Sequence, residues 1–348
     1  MKIIDNSEPD QEALELYYRE KEASDYPIGS VLEVLQPGNL TKRISDNGWP
    51  PHQIELRLSG GLEFPKRTEV AVQSMIGTLV NDGKLKEPNW PKYFVQCLPD
   101  PFKDSISRPV LQLATTDYFH TAAASRLLMT DRTLRREIVS TRPERNLVPN
   151  SLCLHALVEF QDQRVLLLKR SEKSWYYPGA YSISFEEQLS HHDFCDGPEN
   201  AVAKLIHRAI CEEVFPLANW YEESPELAWN AVNDHVKNSR IWSVFLEQEI
   251  GNFSLFCHIG LKLKSHDYCE AFRAIKRRGG KRDNEGRLFA LDFDLIKELL
   301  DGGRPLAQEL LVEEIGNPEI FGEASPVGSL HPTSRYRLLT WATVKGLI

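Results

Sequence analysis

The stretch from Arg208 to Pro216, RAICEEVFP, places two adjacent glutamates at the end of an apolar helical pattern. On a wheel of about 100° per residue, one stripe of apolar side chains forms, made up of Val202, Leu205, Ile206, Ala209 and Ile210. Glu213 falls near the centre of this stripe, and Glu212 falls at its edge, one turn after Arg208. Because a carboxylate on an apolar face is costly unless it is paired, protonated or bound to a cation, the helix predicted over residues 199–214 has an unusual end.

Two interpretations of the glutamate pair compete. In the first, the last helical turn leaves the core, both glutamates face water, and an Arg208–Glu212 pair adds only a few tenths of a kcal/mol. In the second, the pair binds a metal ion, because hard cations such as Mg²⁺ prefer carboxylate oxygens beside a substrate phosphate. An isolated pair favours the first interpretation, so the choice depends on the surrounding sequence.

The order of strand-like and helix-like segments predicts an α+β fold. Short β-rich runs and one clear helix, TEVAVQSMIGTLVNDG, fill the first third. The polar segment STRPERNLVPNS then marks a boundary. We expect a smaller N-terminal α+β domain over residues 1–145, to which no function is assigned, and a second domain over residues 150–348. In the second domain, LCLHALVEF and RVLLLKRS predict a hairpin that precedes the glutamate helix.

The composition limits the classes of partner. The chain has 348 residues and a formal net charge of -9, so we expect no binding to an extended nucleic acid. It contains no run of about eighteen apolar residues and begins without the apolar segment of a signal peptide, so we expect no membrane partner and a cytoplasmic location. Its 6 cysteines form no CxxC pair, which disfavours a structural zinc site.

The order of hairpin, strand, polar loop and helix ending in R-x-x-x-E-E resembles the Nudix family, whose signature is G-x5-E-x7-R-E-U-x-E-E-x-G-U, with U apolar. Aligned on that signature, Arg208 takes the arginine position, Ile210 the apolar position, and Glu212 and Glu213 the paired glutamates. The resemblance spans residues 150–345 and implies a mixed β-sheet sandwiched between helices. It also implies that Glu212 and Glu213 bind Mg²⁺ or Mn²⁺.

Four positions depart from the signature. Ala209 replaces the glutamate after the arginine, Asn200 replaces the upstream glutamate, Phe215 replaces the glycine after the pair, and Phe194 stands where the opening glycine belongs. Two metal-type carboxylates are thus missing, and a loosely bound cation orients water poorly. We therefore expect weak or specialised hydrolysis.

Neighbouring acidic residues are candidates to complete the site. Glu186 and Glu187, in SFEEQL, face opposite sides of an alternating strand, so one of them points toward the glutamate helix. A solvent-facing strand end is the alternative for either residue. The segment SHHDFCD lacks the spacing of a zinc motif and is expected to be a polar surface loop.

Basic and aromatic residues are candidates for binding the ligand. The run IKRRGGKR contains Lys276, Arg277 and Arg278, which could close over phosphates, although a solvated loop is an equal alternative. Tyr177, in WYYPG, could stack on a nucleobase, although aromatic residues before a turn more often simply pack.

Three functions are compatible with these observations. The first, implied by the resemblance, is a metal-dependent Nudix-type hydrolase of a nucleoside diphosphate-linked substrate, in which Arg208 belongs to the catalytic set and Glu187 is a candidate base. The carboxylates expected at its metal are Glu186, Glu187, Glu212 and Glu213. The second is a catalytically weak or inactive nucleotide-binding sensor, similar to divergent Nudix domains found beside bacterial nucleotide-signalling defence genes. The third is a structural or protein-interaction role. The partner in the first two is a small-molecule nucleotide, and the resemblance leaves a homodimer open.

Overall fold

The computed structural model describes residues 31–35, 48–58, 66–97, 109–131, 133–134, 151–171, 179–195, 197–247, 251–282, 286–300, 313–314 and 330–347. The domain boundary predicted near residues 140–150 lies outside these ranges, and so does Tyr177.

Twelve strands form two sheets in the described parts of the chain. In chain order they are β1 (Val31–Leu35), β2 (Glu55–Leu58), β3 (Pro91–Cys97), β4 (Val110–Asp117), β5 (Leu152–Glu159), β6 (Val165–Arg170), β7 (Tyr181–Ile183), β8 (Phe185–Gln188), β9 (Val236–Glu247), β10 (Asn252–Leu261), β11 (Gly286–Leu291) and β12 (Glu313–Glu314).

Eight α-helices lie in the same described ranges. They are α1 (Lys66–Asn81), α2 (Tyr118–Thr130), α3 (Ala201–Ala209), α4 (Ala218–Glu223), α5 (Pro225–Asn230), α6 (Ser265–Arg277), α7 (Phe293–Leu300) and α8 (Pro332–Lys345). Within the part of the chain that the structure describes, no helix is long and apolar enough to cross a membrane.

The large sheet is mixed and has β5 near its centre. Its strand order is β1-β9-β10-β5-β6-β11-β12, with β7 paired to β6 and β8 paired to β5. Strand β5 runs parallel to β10 and antiparallel to β6 and β8. The hairpin predicted from the sequence is β5–β6, and its antiparallel pairing is confirmed.

Side chains on β6 alternate between the two faces of this sheet, and each face has its own core. Leu166 and Leu168 belong to a core shared with α3 and α6. Val165 and Leu167 belong to a second core, shared with α7 and α8. Because both faces of the central strands are covered by helices, these strands are apolar on both sides, as buried strands require.

The small sheet, in the order β2-β4-β3, packs on the large body through the first of these cores. Leu56 on β2 and Leu113 on β4 are fully buried in the same cluster as Leu205 on α3. The helices α1 and α2 form a separate cluster with each other. The described part of the N-terminal segment therefore shares apolar packing with the glutamate helix.

The observed elements confirm the α+β class that the sequence predicts. The predicted helix over residues 199–214 is also present, but it begins at Ala201 and ends with a turn of a different kind, described below. Ile206 is 1% exposed, which confirms the predicted apolar face of this helix.

Candidate functional site

Helix α3 lies on the large sheet through its apolar stripe and ends in a π-helical turn. The turn spans Ile210–Val214, and the amide of Phe215 donates to the carbonyl of Ile210 at 2.9 Å, a five-residue separation. Such a turn inserts one extra residue into the helical repeat and occurs frequently at functional sites. Here the extra residue lies in the segment that contains both glutamates.

Both glutamates of the pair are withdrawn from water. Glu213 is 3% exposed, and the side chain of Glu212 is 13% exposed. The interpretation in which the last turn leaves the core is therefore wrong. The π turn keeps this segment packed against the body, where Val214 and Phe215 are fully buried.

Arg208 lies among three carboxylates and is bonded at every nitrogen of its guanidinium. Its Nε and Nη2 each donate to one oxygen of Asp193 at 3.0 Å. Its Nη1 lies 3.0 Å from Glu212 and 3.1 Å from Glu187. Nη2 also donates to the backbone carbonyl of Gln188 at 2.8 Å. The guanidinium thus fixes the helix end to β8 and to the loop that follows it.

The charges around Arg208 outweigh the cost of burying it. Burial acts to lower the pKa of Arg208, but Glu187, Asp193 and Glu212 act together to raise it above its ordinary value. Arg208 is therefore a permanent cation. Its buried carboxylate partners need that cation, since an unpaired charge there is strongly unfavourable.

Asp193 is a member of this site that the sequence did not identify. The segment expected to be a polar surface loop forms a short 3-10 helix, His191–Phe194, closed by a capping box between Ser190 and Asp193. His191, His192 and Cys195 are exposed, as expected, but Asp193 is 1% exposed. The sequence feature that could have identified Asp193 is the S-x-x-D spacing from Ser190, which is typical of a capping box.

Glu186 and Glu187 contact different sets of residues, as alternation along β8 requires. Glu187 joins the Arg208 cluster, whereas Glu186 accepts from Nη1 of Arg170 at 3.1 Å and lies 3.3 Å from Nδ1 of His155. Burial acts to raise the pKa of Glu186, but His155 and Arg170 hold it well below its usual range. The structure therefore does not bring Glu186 together with the glutamate pair.

The residues around Glu186 form a second buried charged cluster on the α8 side of the sheet. His155 also lies 3.4 Å from Glu247, and Glu247 accepts from Nη2 of Arg337 at 2.6 Å. Arg337 is fully buried, and its guanidinium carbon lies 4.6 Å from the centre of the Phe245 ring. Two arginines face two carboxylates here, and this balance makes the cluster tolerable in the core.

The basic run lies next to the segment that follows the glutamate pair. The amide of Ala218 donates to the carbonyl of Lys281 at 2.8 Å, and the amide of Lys281 donates to Oδ1 of Asn219 at 2.9 Å. Gly280 is required at this contact, because a Cβ there would collide with the carbonyl oxygen of Pro216. Two hydrogen bonds, made by three backbone groups and the side chain of Asn219, thus hold the basic turn, residues 276–282, beside the segment that follows the π turn.

The basic side chains are exposed to water, and the ammonium of Lys276 also lies 5.7 Å from the centre of the Phe272 ring. Lys276, Arg277 and Arg278 are exposed, as a phosphate-binding loop and a solvated loop would both require. Tyr268 ties the base of α6 to the π turn by donating its hydroxyl hydrogen to the carbonyl of Val214. Helix α6, which leads into the basic turn, is therefore hydrogen-bonded to the turn that contains the glutamate pair.

The donor chemistry of this region suits a hard divalent cation in kind. Glu187, Glu212 and Glu213 offer carboxylate oxygens, the ligands that Mg²⁺ and Mn²⁺ prefer. Arg208 already occupies one oxygen of Glu187 and one of Glu212, so a cation would share these carboxylates with the guanidinium. Among the described residues, no group of three or more His, Cys, Asp or Glu side chains is arranged as a metal site.

Ala209 has a different environment from the one that the family signature gives its position. It is fully buried in the core that contains Leu205 and Val214. A glutamate introduced there would place an unpaired carboxylate in apolar packing, at a cost of several kcal/mol. Restoring the signature at Ala209 would therefore damage the fold.

Comparisons with known proteins add little to this geometry. No family model and no curated protein matches this chain. One similar solved structure is that of DR0079 from Deinococcus radiodurans, with 10% sequence identity. The match covers 39% of this chain and 77% of DR0079, with a TM-score of 0.21, which is too low to carry an argument about fold or function.

Proposed function

We propose that this chain binds a nucleotide with a phosphoanhydride group between the glutamate pair and the basic turn, and hydrolyses it slowly in the manner of Nudix proteins. The observation that supports the proposal is the backbone contact between Lys281 and the 218–219 segment. This contact joins the basic run to the segment that follows the glutamate pair, and in this proposal its positive charges and the carboxylates act on the same ligand. A phosphoanhydride bound with a divalent cation needs both kinds of group.

In this proposal Glu212 and Glu213 are the residues that would hold Mg²⁺ or Mn²⁺, and Glu187 lies beside Glu212 at the guanidinium of Arg208. Such a cation neutralises phosphate charge and lowers the pKa of bound water. Lys276, Arg277 and Arg278 are exposed, and in this proposal they turn toward the phosphates of the ligand. Glu186 has no part in it, because it is bound to Arg170 and His155 on the other face.

Arg208 and Glu187 have distinct roles in the proposed reaction. Arg208 is a positioning residue, since each nitrogen of its guanidinium is already bonded to the protein. Glu187 would accept the proton of the attacking water at its carboxylate, which Arg208 holds in orientation. Because the same guanidinium competes with a cation for Glu187 and Glu212, we expect the rate to be low.

A nucleotide-binding sensor without turnover is the second candidate, and the bonding of Arg208 favours it. A site whose carboxylates are already bonded to Arg208 can bind a ligand through the basic turn and leave it intact. The substitution of the signature glutamates by Ala209 and Asn200 points the same way. A cytoplasmic location, where such nucleotides are abundant, belongs to either proposal.

Release of nucleoside monophosphate from a panel of nucleoside diphosphate derivatives, with Mn²⁺ or Mg²⁺, separates the two candidates, because water would cleave the phosphoanhydride into two phosphate monoesters. For the hydrolase we expect slow metal-dependent release that falls about a hundredfold in Glu187→Gln, the size of a lost general base. Glu222→Gln, an exposed carboxylate on α4, is the matched control and should retain the rate. Metal-independent nucleotide binding without any release would support the sensor, and absence of binding to the whole panel would contradict both.

A further inference from the structure

The amide side chain of Asn219 holds the basic turn at two points. Asn219 lies on α4, and its Nδ2 donates to the carbonyl of Gly279 at 3.2 Å. Its Oδ1 accepts from the amide of Lys281 at 2.9 Å. The two backbone groups lie on either side of Gly280, so one planar amide spans the turn. A side-chain amide suits this contact because it offers a donor and an acceptor together.

The backbone of the basic turn has two parts, and Asn219 contacts both. In the first part, the amides of Gly279 and Gly280 donate at 3.0 and 3.1 Å to carbonyls in the last turn of α6. Gly279 has a φ of +88°, the left-handed conformation that commonly ends a helix. In the second part, the carbonyl of Lys281 accepts from the amide of Ala218 at 2.8 Å. Asn219 therefore fixes both the end of α6 and the chain that leaves it.

The segment that leads to Asn219 is itself bonded to the π turn. The amide of Leu217 donates to the carbonyl of Cys211 at 3.0 Å, and Leu217 is fully buried. Cys211 directly precedes Glu212 in the sequence. A short, hydrogen-bonded path therefore leads from the glutamate pair through Leu217 to Asn219 and the basic turn. Asn219 is thus placed to set where the basic turn lies relative to the pair.

We propose that Asn219 is a positioning residue, which holds the basic turn in the orientation that binds the phosphates of the ligand. This inference rests on the proposed function, and it adds a residue that lies outside both the segment resembling the Nudix signature and the basic run. Asn219 acts through the turn, because both ends of its amide are bonded to the backbone of the turn. Without this amide, the cationic side chains would remain but would face the ligand for only part of the time.

Isothermal titration of the full chain with inorganic pyrophosphate and Mg²⁺ tests the inference. We expect Asn219→Ala to weaken binding about tenfold, because only a fraction of the molecules would hold the turn in the binding orientation. Alanine is a better helix former than asparagine, so α4 should remain folded, which circular dichroism checks. Asn230→Ala, at an exposed asparagine on the neighbouring helix α5, is the matched control and should bind like the wild-type chain.

A second substitution displaces the same turn and leaves Asn219 in place. The new Cβ of Gly280→Ala would press against the carbonyl oxygen of Pro216, so the turn would have to shift. We expect this variant to weaken pyrophosphate binding to a similar extent. Agreement between the two variants would show that the position of the turn, and not the Asn219 amide itself, is what the ligand requires.

A double-mutant cycle separates positioning from a general structural role. The second member of the cycle is whichever of Lys276→Gln, Arg277→Gln and Arg278→Gln weakens binding most. If Asn219 acts through the turn, Asn219→Ala should reduce affinity by a smaller factor in that background than in the wild-type chain. A structural loss elsewhere would reduce affinity by the same factor in both backgrounds.

The outcomes distinguish this inference from the proposed function. If a Gln variant of the basic turn weakens binding but Asn219→Ala binds as tightly as Asn230→Ala, the inference is overturned and the proposed function stands. Equal factors in both backgrounds of the cycle, or an Asn219→Ala chain that loses its fold, would also overturn the inference, since Asn219 would then be structural. If the wild-type chain does not bind pyrophosphate, or if no Gln variant weakens binding, the proposed function fails and the inference fails with it.

Discussion

Arg208 is the residue on which the local structure most depends. Its planar guanidinium bonds both oxygens of Asp193 and still reaches Glu212 and Glu187. A lysine offers a single charged nitrogen and cannot reproduce this fork. The four residues come from α3 and the π turn that ends it, from the loop before α3 and from β8, so one side chain joins three separate pieces of the chain.

We predict that Arg208→Lys lowers the free energy of unfolding by roughly 3 kcal/mol, because it leaves buried carboxylates without their partner. Urea denaturation followed by circular dichroism measures this loss. Arg273→Lys is the matched control, since Arg273 pairs with Glu270 on the exposed surface and should change stability by about 0.5 kcal/mol or less. Equal effects of the two substitutions would contradict the importance of the buried cluster.

At the scale of single residues, the sequence predicted the unusual position of Glu213 but not its neighbours. Helical periodicity put Glu213 on the apolar stripe, and the structure buries it there. The pairing of Arg208 with Asp193 and with Glu187 depends on how separate segments fold together. Periodicity describes one element at a time, so contacts of this kind are outside its reach.

The elements of the structure are held to one another by a few polar ties. One tie lies at the π turn, where the hydroxyl of Tyr268 on α6 donates to the carbonyl of Val214. The sequence did not predict the geometry of this turn, because its pattern fits an ordinary helix equally well. The C-terminal helix α8 makes a second tie. Nζ of Lys345 donates to Glu159 on β5 at 2.7 Å, and Nε2 of His258 on β10 lies 2.8 Å from the same carboxylate. Glu159 therefore joins three elements.

This tie predicts a specific loss of stability in acid. Burial acts to raise the pKa of Glu159, but His258 and Lys345 outweigh it and lower the pKa from 4.5 to about 2. Since the folded-state pKa is depressed, the stabilisation is fully present above about pH 4.5 and is lost as pH falls toward about 2. Its size is on the order of 3 kcal/mol.

The measurement is the free energy of unfolding of the wild-type chain and of Glu159→Gln at several pH values. We expect the difference between them to be large near neutral pH and to shrink between about pH 4.5 and about pH 3. For the control Glu222→Gln, whose carboxylate is exposed, the difference should stay small throughout. A difference for Glu159→Gln that does not vary with pH would contradict the assignment.

At the scale of the whole molecule, the two sheets share one apolar core. Leu56 from the small sheet and Leu205 from α3 belong to the same buried cluster. Independent domains would each bury their own core, and their separate unfolding would be visible. The shared packing implies instead that the small sheet and the glutamate helix unfold together.

We predict that scanning calorimetry shows a single transition that both Leu56→Ala and Leu205→Ala shift to lower temperature. Each substitution leaves a cavity in the shared core and should cost about 2–5 kcal/mol. Leu227→Ala is the control, because Leu227 is 70% exposed and should leave the transition in place. Two transitions, each sensitive to only one of the core substitutions, would contradict this prediction.

The class of fold and most of its elements could be predicted from the sequence, because strands and helices leave local patterns. The β5–β6 hairpin and the helix α1 follow directly from apolar runs and turn residues. The joining of β2 to the core of α3 could not be predicted in this way. Residues 56 and 205 are far apart along the chain, and nothing in their local sequences specifies that they meet.

Burial divides the charges of the candidate site into two populations that respond differently to dissolved salt. Ions at about 0.15 M screen charges beyond about 8 Å, but they have little access to groups enclosed by protein. Arg208, at 8% exposure, belongs to the enclosed population, and Lys276, Arg277 and Arg278 belong to the open one. A rise in ionic strength would therefore loosen the capture of an anion by the basic turn while the carboxylates beside it keep their positions.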